Sequence, residues 1–147
     1  MQFPALLTSL FFLLGSFIYA HGAPLTTPLL EARQQAPGTV TCTNKAQKLD
    51  SHDCNVALLG LGPGGIAGAI QFLRPNVPSV ESTSGSCKVS AQTTDGSVIS
   101  ISKGRLEHGG IKGFNDLRDE CGATPGTVLI EGGAAGGGNV LVTISAA

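Results

Sequence analysis

Four cysteines, Cys42, Cys54, Cys87 and Cys121, constrain this chain of 147 residues more than any other feature. They follow an apolar N-terminal stretch over residues 5–20 that ends in the small-residue pattern Ala20-His21-Gly22. Such a stretch reads as an export signal over residues 1–22, with cleavage on the way to an oxidising compartment. An even number of cysteines behind an export signal predicts two disulfides. Their gaps are long and contain no C-x-x-C, which argues against a zinc site, so neither metal nor cofactor is expected. Four cysteines allow three pairings, and the spacing leaves all three open. Each bridge would contribute roughly 3–4 kcal/mol by limiting the unfolded chain.

The apolar run approaches the roughly 20 residues that span a bilayer. No cluster of Lys or Arg flanks it as a stop-transfer signal would, so secretion without stable membrane insertion is the expectation. Residues 23–38 carry Pro24, Pro28 and Pro37 and show no period, the pattern of a leader without regular structure. Arg33-Gln34 within it offers a propeptide cut, so a retained leader and a removed one are both open. Residues 39–147 then form a single domain.

Losing the leader would change that domain's character. Phe3, Phe11, Phe12, Phe17 and Tyr19 lie within the export signal and the sequence has no Trp, so once signal and leader are gone Phe72 and Phe114 are the aromatics left. A core built from Leu, Ile, Val and Ala alone gains more than most from cross-links. The whole chain has a net charge of −1, and removing Glu31 and Arg33 leaves that balance unchanged. Nothing in it points to nucleic acid or an anionic surface.

Thr39-Val40-Thr41-Cys42-Thr43 is a β-branched run and predicts a first strand. Asp50, Ser51 and Asp53 are helix-starting residues. Cys54, Ala57, Leu58 and Leu61 follow at the spacing of one helical face, and Gly60, Gly62 and Pro63 end it. Residues 62–86 are expected to form a variable loop. Cys87, Val89 and Ala91 alternate with polar residues, as do Ile99 and Ile101, and Asp95-Gly96 between them predicts a tight hairpin. Ile111, Phe114, Leu117 and Cys121 predict a second helix over residues 107–121, weakened by Gly109, Gly110 and Gly113 and capped by Gly122. Two strands, near residues 127–130 and 140–144, flank a glycine-rich linker expected to be floppy. The order β-α-β-β-α-β-β predicts an α+β two-layer sandwich, a mainly antiparallel sheet of about five strands with two helices on one face.

Cys42 on a strand, the Asp53-Cys54 pair heading a helix, Gly85-Ser86-Cys87-Lys88-Val89 opening a strand and Cys121 ending a helix together resemble a known group. It is the small secreted fungal proteins related to the killer toxin of α/β-sandwich type, which includes necrosis-inducing effectors. The resemblance covers about residues 40–145 and implies a five-stranded antiparallel sheet with two helices on one face. It also implies a secreted effector or toxin-like protein acting on a host or competitor cell, through a cell-surface protein or glycan. A weaker resemblance, to mushroom glycan-binding sandwich proteins, implies a lectin-like alternative. A structural protein of the producer's own surface is the third reading.

Catalysis finds little support in the residues. His52 and Asp53 are adjacent, so a helix points them in different directions. No serine sits in a G-x-S-x-G elbow. A non-enzymatic role is therefore expected, with no catalytic residues. Lys103, Arg105, His108 and Lys112 gather near the start of the second helix and form the candidate basic patch for partner binding.

Overall fold

The computed structural model describes residues 35–61, 72–73 and 76–147, with residues 72–73 described as backbone. The expected export signal, the leader as far as Gln34, and most of the apolar run that begins after the glycines near residue 62 lie outside the described residues. Among the described residues ten elements follow one another. They are β1 (Val40–Cys42), α1 (Ser51–Leu59), β2 (Phe72–Leu73), β3 (Ser79–Ser84), β4 (Cys87–Thr93), β5 (Ile101–Ser102), α2 (Lys103–His108), α3 (Phe114–Cys121), β6 (Gly126–Gly133) and β7 (Asn139–Ala146). Five strands form an antiparallel sheet in the order β1-β6-β7-β4-β3, and β2 pairs with β5 apart from it. The fold is the expected α+β sandwich.

Register explains why helices cover one face of the sheet. Val40, Val128, Val142, Ala91 and Val80 stand opposite one another in a single row across all five strands. Side chains alternate between faces along a strand, so this row defines the apolar side. Val89, Ile130, Val140 and Ile144 share it, and Cys54, Ala57, Leu58, Leu61, Leu106, Phe114 and Leu117 pack on it from the helical layer. Among the described residues one aromatic ring, that of Phe114, serves this core, which is otherwise aliphatic apart from its cysteines.

Helix α1 forms as expected: the Asp50 carboxylate accepts from the N–H groups of His52 and Asp53, and Cys54, Ala57 and Leu58 are its buried positions. The disulfides join Cys42 to Cys121 and Cys54 to Cys87. One ties edge strand β1 to the end of α3, the other ties α1 to β4. Each bridge thus stitches the helical layer to the sheet.

Four expectations are corrected. The segment 107–121 is two helices, because Gly109 takes φ of +62° and a Cβ on Gly113 would lie 2.5 Å from Glu107 O. Ile111, expected on a buried face, sits in the connection and is 66% exposed. The second correction concerns β4, which pairs with β3 and β7 and not with residues 99–102. Part of the expected variable loop is therefore edge strand β3. Ile99 bridges to Ala134 and Ile101 pairs with Leu73.

Third, the glycine-rich linker is held in place. Asp95 Oδ2 accepts from Gly138 N–H, Ser97 Oγ from Gly136 N–H, and Thr94 Oγ1 from Asn139 N–H. Asp95-Gly96 belongs to this clasp, with Asp95 also accepting from the N–H and hydroxyl of Ser97. Last, the fold begins before residue 39. Gly38 N–H donates to Leu129 O, and the Gln35 side-chain amide donates to Thr39 O.

Candidate functional site

The structure does not bring the four basic candidates together at the surface. Lys103 is 1% exposed and its ammonium donates to Leu59 O at the end of α1, so it is a structural lysine. Burial pushes its pKa down. Arg105 is exposed and its guanidinium donates to Glu131 O. His108 is exposed 3.8 Å from Glu107, and Lys112 is ion-paired with Glu120. The three at the surface each have a local acceptor or counter-charge. His52 and Asp53 separate as expected from their adjacency: Asp53 turns to Ser86, while His52 is exposed.

The second face of the sheet offers a more coherent surface. Thr41, Thr127, Thr143, Ser90 and Glu81 stand opposite one another in one row through β1, β6, β7, β4 and β3. Neighbouring strands lie about 4.8 Å apart, so this row repeats a hydroxyl at that interval over four strands. The hydroxyls of Thr127, Thr143 and Ser90 make no hydrogen bond to any of the described residues, and all three residues retain solvent exposure. The Thr41 hydroxyl accepts from the Gln35 amide at 3.3 Å. Ser145, Lys88 and Thr83 form a parallel row on one side of it, and Leu129, Leu141, Gln92 and Ser79 one on the other.

Charge on this face is balanced locally. Lys88 reaches Glu81 on the neighbouring strand at 2.7 Å, with both side chains at least a third exposed. Leu129 and Leu141 form a small apolar pair separate from the main core. The result is a broad face of hydroxyls and one amide, able to exchange hydrogen bonds but not to bind a strong charge. Alternation of Thr and Ser with Val, Ala and Ile was the available sequence signal. Its polar half marks this face.

No family model, no curated protein and no solved structure matches this chain.

Proposed function

We propose that this chain is a secreted effector or toxin-like protein that acts by binding the surface of a host or competitor cell through the hydroxyl-bearing face of its sheet. The hydroxyls of Thr127, Thr143 and Ser90, adjacent on three strands and unpaired among the described residues, carry the reading. A solvated face is ordinary for an antiparallel sheet. A row of unpaired donors and acceptors on it, flanked by an internally neutralised ion pair, suits a polar, uncharged partner. Two disulfides that take up all four cysteines support an extracellular place of work. So does the export signal read from residues 1–22. Function here needs recognition and no chemical step.

Applying the purified domain to plant and microbial cells tests the proposal, with labelled protein to follow binding. Thr127→Arg and Thr143→Arg should abolish cell association while leaving the melting temperature within a degree or so of wild type. Equal association by these variants would overturn the assignment of the face. Absence of association with every cell type would overturn the effector reading.

The same hydroxyls, with the Gln92 amide beside them, favour a second reading in which the partner is a glycan. Among the described residues such binding would rest on hydrogen bonds, since Phe114, the aromatic whose side chain is described, is buried in the core. A glycan array without a single retained sugar would remove it.

A further inference from the structure

We propose that two copies of this chain pair antiparallel through edge strand β3, with Ser82 on the two-fold axis. Thr93 N–H donates to Pro78 O at 2.9 Å, and the same register runs on without a shift from Ser79 opposite Gln92 to Ser84 opposite Cys87. Hydrogen-bonded pairs alternate in an antiparallel ladder. Val80, Ser82 and Ser84 therefore bond to β4, while Ser79, Glu81 and Thr83 turn their N–H and C=O groups away from it. Val77 faces the same way, and its carbonyl accepts from Ile99 N–H at 3.1 Å. Beyond it, the outward groups of Ser79, Glu81 and Thr83 make no hydrogen bond to any of the described residues.

Edge strands are commonly guarded by short length, lysine, proline or a bulge. The other edge, β1, has three residues, and the Gln35 amide donates to Thr39 O beside it. β3 has six residues, with no lysine, no proline and no bulge. Its single charge, Glu81, is paired with Lys88 at 2.7 Å. Such an edge is a template for another strand.

The helical layer selects a second copy as that strand. α1 packs on β3 and β4 alike, with Asp53 bound to Ser86 and a Cβ on Gly60 only 2.4 Å from Ser82 Oγ. With strands about 4.8 Å apart, α1 lies about 4.8 Å from a two-fold axis just outside β3. A second copy would bring its own α1 to about 10 Å, the spacing of packed helices. Gly60, beside Ser82 and so near the axis, has no side chain to obstruct them. Val56, one turn earlier, is half-buried and completes that side of α1. A lone peptide strand would leave it uncovered.

Charge selects the register. Pairing centred on Glu81 would set two carboxylates directly opposite, which destabilises a strand pair. Centring on Ser82 sets Glu81 opposite Thr83 of the second copy, and Thr83 opposite its Glu81. These residues face outward, so each such pair exchanges two hydrogen bonds. The patch is complementary to itself, as a two-fold interface requires.

The inference stands apart from the proposed function. Sedimentation equilibrium and amide exchange test it over a range of concentrations, on the disulfide-bonded protein produced from the full-length sequence. Twice the monomer mass is expected as concentration rises, with the amides of Glu81 and Thr83 protected in the dimer. Thr83 is exposed, so substituting it with Lys or Glu should leave the melting temperature unchanged. Thr83→Lys, facing Glu81 of the second copy, should tighten the dimer several-fold, and Thr83→Glu should loosen it several-fold. Lys88 stands opposite position 83 within the same copy in monomer and dimer alike, so it drops out of that comparison. Thr83→Pro lacks the outward N–H and should abolish pairing. A monomer at every concentration, a dimer indifferent to Thr83→Pro, or unprotected Glu81 and Thr83 amides in the dimer would overturn the interface. Equal dimerisation of Thr83→Lys and Thr83→Glu would overturn the register.

Discussion

The carboxylate of Asp53 accepts two hydrogen bonds from Ser86, from its N–H at 2.7 Å and from its hydroxyl at 3.0 Å. The same hydroxyl accepts from Asp50 N–H at 2.9 Å. Asp53 and Ser86 immediately precede the two bridged cysteines, Cys54 and Cys87, so helix α1 and the β3–β4 turn are joined covalently and by hydrogen bonds at neighbouring positions. A Cβ on Gly85 would lie 2.1 Å from Asp53 Oδ2, at φ of +48°, so the turn beside the clasp requires glycine.

The N–H of Ser86, and after it the hydroxyl, holds Asp53 below its ordinary pKa of 3.8. A carboxylate lowered on folding stabilises the fold above 3.8, and that stabilisation is lost as pH falls through the lower, folded-state value. Asp53→Asn should be less stable than wild type near neutrality, and the two should converge in strong acid. Urea midpoints measured from neutral to strongly acid pH check this; parallel curves would refute it.

Removing either disulfide should cost about 4 kcal/mol. By the chain-entropy relation the bridge across 79 residues is worth about 4.5 kcal/mol and that across 33 about 3.7 kcal/mol. Cys42→Ser with Cys121→Ser, and Cys54→Ser with Cys87→Ser, should both unfold at much lower urea concentration. Stabilities within about 1 kcal/mol of wild type would show that the aliphatic core holds the layers unaided.

Asp95→Ala should release the glycine-rich connection between β6 and β7 without loosening the strands. Asp95 accepts from Ser97 and from Gly138 across the loop contact, and the Ser97 hydroxyl foremost lowers its pKa. Amide exchange at Gly136 and Gly138 should accelerate, while Val128 and Val142 stay protected. Unchanged exchange at both glycines would show that Thr94 and Asn139 suffice.

Lys103 should make stability rise with alkaline pH. Burial lowers its pKa from 10.5, so between the lowered value and 10.5 the unfolded chain binds more protons than the folded one. Raising pH through that window therefore favours the fold. Lys103→Met should remove this component of the slope. An identical alkaline slope in both proteins would sink the assignment.

Much of the fold was legible because its signals are local. Asp50 and Asp53 at a helix start, the step from Cys54 to Ala57 and Leu58, and Gly122 with φ of +62° after α3 depend only on neighbours along the chain. The mistaken hairpin shows the opposite case. The chain does bend at Asp95-Gly96, but β4 is a central strand whose two edges are filled by β3 and β7, leaving no place for residues 99–102. Lys103 misled for a similar reason, since its burial depends on Leu59, 44 residues earlier.

By itself, the order of residues determined the class of fold, the apolar face of most elements and the oxidation expected of four cysteines. These follow from periodicity, backbone preference and an even cysteine count. Only the folded chain decided which cysteines pair, which strands lie side by side and which hydroxyls of the described residues are left without partners. Pairing and register are set by packing between distant segments, where Val40, Val128, Val142, Ala91 and Val80 must meet in one row, and the polar row on the other face comes with it.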